Sequence, residues 1–192
     1  MKLKKTPLVL ALLALLLGGI VGLQEMQRSA QQDSQLVIDG KQLFDLQEKD
    51  VTAIKLTTDQ GVLVVRKEPP PPASASAEPR WTMTSPKNAP AEPGAIAYLL
   101  NLLATGKRQE TLRATPEQLE DFGLDPPLAT IDLTLTHQTT HRLTIGKPTF
   151  NRTGLYAQLN PFPQSNTVVI LSTDFENAIN RPLPEWQAKP SP

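Results

Sequence analysis

"EDFGLDPPLATIDLTLT", residues 120–136, holds the transition on which the fold turns. Just upstream, Thr115 precedes Pro116, and Gln118 stands three residues after the threonine. That is capping-box spacing with proline at the first helical position, so a short helix is expected to start there. Leu119 and Phe122 would face the core, and Gly123 ends the helix where a left-handed residue is wanted. Leu124 can make the hydrophobic contact that accompanies such an end. Pro126 and Pro127 forbid the helix from resuming and push Asp125 toward an extended shape. Alternation follows, with Ile131, Leu133 and Leu135 on one face and Thr130, Asp132, Thr134 and Thr136 on the other. Every residue of Gly123-Leu124-Asp125-Pro126-Pro127 thus has a folding role.

The same grammar extends in both directions. "VTAIKLTTDQGVLVVRK" (Val51 to Lys67) reads as two β-rich runs around Asp59-Gln60-Gly61, a hairpin signal, and "RWTMT" adds a third strand. Between them, residues 68–79 form a Pro/Ala/Ser stretch with nothing to bury, read as an exposed loop within the domain. In "PGAIAYLLNLLATG", Ile96, Leu99, Leu100 and Leu103 make one apolar helix face, with Pro93 in the first turn and Gly106 past the end. Downstream, "HRLTI", "LYAQL" and "TVVIL" read as strands. "STDFENAIN" gives a short helix, with Thr173 and Glu176 at capping-box spacing and Phe175 and Ile179 on one face. Strands then helix, twice, predicts an α+β domain of two similar strand-hairpin-plus-helix units, antiparallel sheets with packed helices, over residues 36–180. Residues 181–192 read as a Pro-rich tail, in which Trp186 could dock on the domain or on a partner.

The N-terminus has a different character. Lys2, Lys4 and Lys5 lead into sixteen uncharged residues, Leu8 to Leu23, long enough as a helix for about 24 Å at about 1.5 Å per residue. This predicts a transmembrane anchor over residues 1–23 and a polar linker over residues 24–35. Basic residues ahead of the apolar run place the N-terminus in the cytoplasm and the domain outside it, in periplasm or lumen. A cleavable signal is the competing reading, but a small-x-small cleavage site is hard to find, since Arg28 precedes Ala30 at the needed spacing. Ala14, Gly18 and Gly22 recur every fourth residue, a small-residue stripe through which two anchors could pair as a homodimer. Glycine is also simply common in membrane helices.

Composition narrows the function. The chain carries 19 basic and 19 acidic residues, but residues 24–192 hold 16 basic and 19 acidic side chains, a net charge of −3. A weakly acidic body without a basic block argues against nucleic-acid binding, which needs clustered Lys and Arg. The absence of cysteine excludes disulfides, thiolate metal sites and a cysteine nucleophile. Elsewhere there is no nucleophile elbow and no phosphate-cradling loop outside the apolar segment. The histidines are His137 and His141. If Leu135 pairs with Leu143 they face each other around a three-residue loop and could share a metal, although no third ligand suggests itself. No cofactor and no enzymatic activity are expected. The acidic run Glu117, Glu120 and Asp121 suits the first turns of a helix.

"FGLDPP" followed by an alternating strand, then "HRLTIGKPTFNRTGLYAQL", resembles the family called domain of unknown function 4340. The "RWTMTSP" strand ahead of a leucine-rich helix and the late strand–helix end are similar too. The resemblance spans about Leu36 to Asn180 and is most distinctive from Gly123 to Leu159. It implies an extracytoplasmic accessory role, since some relatives accompany transport systems of the ABC or gliding-motility type, and it brings no catalytic motif. This chain departs from the pattern in its Pro/Ala/Ser insertion and in Gln138-Thr139-Thr140, where an Asp-Gly turn is usual. The expectation is a non-catalytic accessory or assembly component that meets the lipid bilayer and a membrane-protein partner. Alternatives are a small-ligand or glycan-binding envelope module using a cleft between the two halves, and a hydrolase built on the histidines.

Overall fold

Alternating apolar residues throughout the chain converge on one antiparallel sheet. The computed structural model describes residues 37–38, 40–69, 80–160 and 166–189. Its strands are β1 (Val37–Ile38), β2 (Val51–Thr58), β3 (Gly61–Glu68), β4 (Arg80–Ser85), β5 (Ala89–Pro90), β6 (Glu110–Arg113), β7 (Ala129–Leu135), β8 (Thr140–Pro148), β9 (Leu155–Leu159) and β10 (Thr167–Leu171). The order across the sheet is β1-β6-β10-β9-β8-β7-β2-β3-β4-β5. Three α-helices accompany it among the described residues: α1 (Pro93–Thr105), α2 (Pro116–Asp121) and α3 (Asp174–Ile179).

This corrects the expectation of an α+β domain with two hairpin-plus-helix units. The early strands and the late strands are joined edge to edge by β2 and β7, which set Ile54 opposite Leu133 and Leu56 opposite Ile131. Apolar alternation on both strands puts those four residues on one face, where pairing buries them together, so neither half closes a core of its own. The main core runs from Val51 and Leu63 through Ile131 and Leu143 to Val169 and Leu171, and α1 and α3 add Ile96, Leu99, Leu103, Phe175 and Ile179. The similarity of the halves was one of pattern only.

The alternation leaves a second, smaller cluster on the opposite face. Leu112, Val168 and Ile170 point away from the main core and are covered by Ala114 and Leu124, with Leu119, Phe122 and Tyr156 around them. The rings of Phe122 and Tyr156 stack at 4.0 Å. Beside this cluster the same face is polar, where Lys55, Asp132 and Arg142 lie in register across β2, β7 and β8. Arg142 grips Asp132 through two hydrogen bonds, of 2.5 and 3.2 Å. That carboxylate raises the guanidinium pKa above its ordinary value.

Several local expectations hold. Asp59 and Gln60 turn the β2–β3 hairpin, and α1 buries Ile96, Leu99, Leu100 and Leu103 between Pro93 and the capping Gly106. At α3 the cap differs: the Thr173 side chain makes no capping bond, and Ser172 Oγ accepts from the Asp174 amide instead. The segment read as a tail contributes to the core. Trp186 is fully buried, its Nε1 donating to the Arg181 carbonyl, and its own carbonyl accepts from the Glu92 amide. No helix among the described residues is long and apolar enough to cross a membrane. The anchor expected at residues 1–23, with Ala14, Gly18 and Gly22, and the linker at 24–35 lie outside the described residues.

Candidate functional site

The turn after α2 is built as its residues dictate. Thr115 Oγ1 accepts from the Gln118 amide at 3.3 Å, and Gln118 Oε1 accepts from the Thr115 amide at 2.8 Å, completing the capping box. At the other end Gly123 takes φ +68°. Its amide donates to the Glu120 carbonyl, and the Leu124 amide reaches back to the Leu119 carbonyl at 2.8 Å. These are the two bonds of a Schellman motif, with Leu124 buried over Leu119 as the accompanying apolar contact. Asp125 and Pro126 are joined by a cis peptide, and Leu124 bridges to Pro127 before β7 begins.

Strand β8 clamps this turn. The Lys147 amide donates to the Phe122 carbonyl at 2.7 Å, and Lys147 Nζ donates to the Asp121 carbonyl at 3.1 Å. Gly146 lies so close that a Cβ there would stand 2.2 Å from the Phe122 oxygen. The "FGLDPP" and "TIGKP" stretches are therefore two sides of one contact.

Beyond the clamp the chain leaves a cavity of about 420 Å³. Pro127, Leu128 and Ala129 form one wall, Pro148 and Leu155 a second, and Ile179 of α3 the far side. Its polar rim comprises Thr57, Thr58 and Asp59 of the β2–β3 hairpin with Glu176 and Asn180 of the α3 region. Gln60 Nε2 donates to the Asn180 carbonyl at 3.4 Å, tying the hairpin tip to the end of α3. Leu128 remains 49 % exposed at this site. The folding motif thus has a second consequence, since Pro127 lines a cavity between the early hairpin and the later strands.

The loop from β8 to β9 carries another exposed group. Asn151 Oδ1 accepts from Thr149 Oγ1, the Thr153 amide and Thr153 Oγ1, and the Thr149 amide donates to the Gly154 carbonyl. The loop is fixed by its own bonds and leaves the Phe150 ring wholly in solvent. Sequence reading missed Phe150; the available signal was an aromatic residue among turn formers, outside any alternating run.

The histidines do not meet. The hairpin register pairs Leu133 with His141 and Ile131 with Leu143, where an opposed pair required Leu135 against Leu143. His137 falls instead in a 3-10 turn, Thr136–Gln138, where it is exposed and has φ +69°. His141 packs on Phe44 with ring centroids 4.9 Å apart, and its Nδ1 lies 3.2 Å from Asn160 Nδ2. Among the described residues, no three His, Asp or Glu side chains are placed to hold a metal ion. Gln138 also has positive φ, so the stretch that replaces the usual Asp-Gly still turns through left-handed residues.

Residues 81–190 match the family described as Domain of unknown function (DUF4340). The chain belongs to that family. The matched region starts later than Leu36 and runs past Asn180, taking in Trp186 together with both sides of the Gly123–Gly146 clamp. No curated protein and no solved structure matches the chain.

Proposed function

We propose that this member of the family is a single-pass, membrane-anchored extracytoplasmic protein serving as a non-catalytic accessory or assembly component of a membrane complex. The observation that carries the reading is Phe150, a fully exposed aromatic ring on a loop held by its own hydrogen bonds. An aromatic anchor on a preorganised loop loses little conformational entropy on docking and buries a large apolar area, the profile of an interface hot spot. The apolar segment from Leu8 to Leu23 supports tethering to the bilayer, with the N-terminus cytoplasmic. The stripe of Ala14, Gly18 and Gly22 would let two anchors pair. A transport complex is the kind of partner that the family resemblance implies.

The test is purification of the full-length, C-terminally tagged protein from native membranes after crosslinking, beside Phe150→Asp. A stoichiometric membrane-protein partner, lost in the variant, supports the proposal. A wild-type protein recovered alone refutes it.

A second reading, a small-ligand module, is favoured by the cavity walled by Pro127 and Leu128. At about 420 Å³ it falls within the range of ligand sites, roughly 300–1,000 Å³.

A further inference from the structure

We propose that the cavity beside the Gly123–Pro127 turn binds a small organic cation, a primary ammonium on an apolar body. This rests on the ligand reading of the cavity and goes beyond it by assigning the ligand's charge and shape.

Shape follows from the walls. Leu128, Leu155 and Ile179 face the cavity from three separate elements, and Leu128 stays half exposed where neighbouring Ala129 and Leu155 are buried. An apolar body of about ten heavy atoms would take Leu128 out of water, which apolar surface favours.

Charge follows from the rim. Asp59 and Glu176 are the ionisable residues lining the cavity, and no Lys, Arg or His lines it. Neither carboxylate is engaged by a basic side chain among the described residues. The Gln60–Asn180 hydrogen bond holds the two elements that carry them together. An ammonium offers three donors and no acceptor. The rim answers with two carboxylate-bearing residues, Asp59 and Glu176, beside the polar Asn180, Thr57 and Thr58. Anions would meet like charge here, and a neutral alcohol would gain no ion pair from the carboxylates.

The experiment uses the full-length protein in detergent micelles with labelled Leu and Ile methyl groups, titrated with benzylammonium, benzyl alcohol and benzoate. Benzylammonium should move the Leu128, Leu155 and Ile179 methyls saturably, with a Kd about threefold below that of benzyl alcohol, the preference that a solvent-accessible ion pair supplies. Benzoate should not move them. The double variant Asp59→Asn/Glu176→Gln should bring the amine to the alcohol's affinity; Asn suits a two-residue hairpin turn and Gln a helix, so folding is preserved. Equal affinities for amine and alcohol, or a preference that survives in the double variant, overturn the cation assignment and leave the ligand reading standing. Absence of a saturable shift with every probe overturns both.

Discussion

Gly146 lies directly against Phe122: a Cβ at position 146 would stand 2.2 Å from the Phe122 carbonyl oxygen, while the next residue's amide donates to that oxygen at 2.7 Å. This contact joins the turn after α2 to strand β8, and Gly146 also lines the cavity. Gly146→Ala must push the two backbones apart and break the bond at Lys147. Such overpacking costs about 1–3 kcal/mol, which thermal melting would read as a clear drop in Tm.

Gly123 bears on the same contact from the other side. Its φ of +68° disfavours any side chain, and a Cβ there would stand 2.8 Å from Lys147 Cγ. Gly123→Ala should therefore cost about 1–2 kcal/mol in backbone strain, and somewhat more because Lys147 must move. Since both substitutions open one clamp, the double variant should lose less than the two single losses added together. Denaturant melts of the three variants measure that coupling.

Trp186 anchors the end of the domain. The ring is fully buried, and backbone bonds join Glu92 to Trp186 and Ala188 to Pro90. Trp186→Ala should cost about 3–5 kcal/mol, the range for removing a buried aromatic side chain. Truncation after Asn180 should abolish cooperative unfolding in calorimetry.

Acid should weaken the start of α2. Glu117 has its pKa lowered by the Thr115 hydroxyl and by its own backbone amide. A carboxyl depressed in the folded state contributes stability above its unfolded pKa, and that contribution is lost as pH falls through the folded value. Glu117→Gln should accordingly lower Tm near neutral pH and converge on the wild type in acid. Thr115→Ala should remove the larger share of this pH-dependent part, leaving that of the backbone amide, along with the cap itself, which is worth about 1 kcal/mol. Melting curves of both variants across pH 2–7 check the sign.

Local structure was legible in the sequence wherever one short stretch carried its own signal. Thr115 with Gln118, Gly123 with Leu124, and the alternation from Ala129 to Leu135 each produced the element they specify. Long-range pairing was not legible. Nothing local in "VTAIKL" says that Leu56 pairs with Ile131, so one sheet read as two. Register failed at the second hairpin for a related reason. Leu135 and Leu143 both alternate correctly, but a four-residue slip preserves alternation while moving His141 from His137 to Leu133. Of the cavity, Pro127 lay within the quoted motif, but Asp59 and Glu176 come from elements more than a hundred residues apart and converge only through the sheet.

Phe150 is the proposed contact point with a membrane partner. A photocrosslinking amino acid placed at position 150 of the full-length protein, activated in intact cells, reads that contact without purification. A single discrete adduct with a membrane protein, absent when the crosslinker is placed at exposed Glu120 on α2, is the predicted result. Crosslinking to solvent alone, with no adduct from position 150, would contradict it.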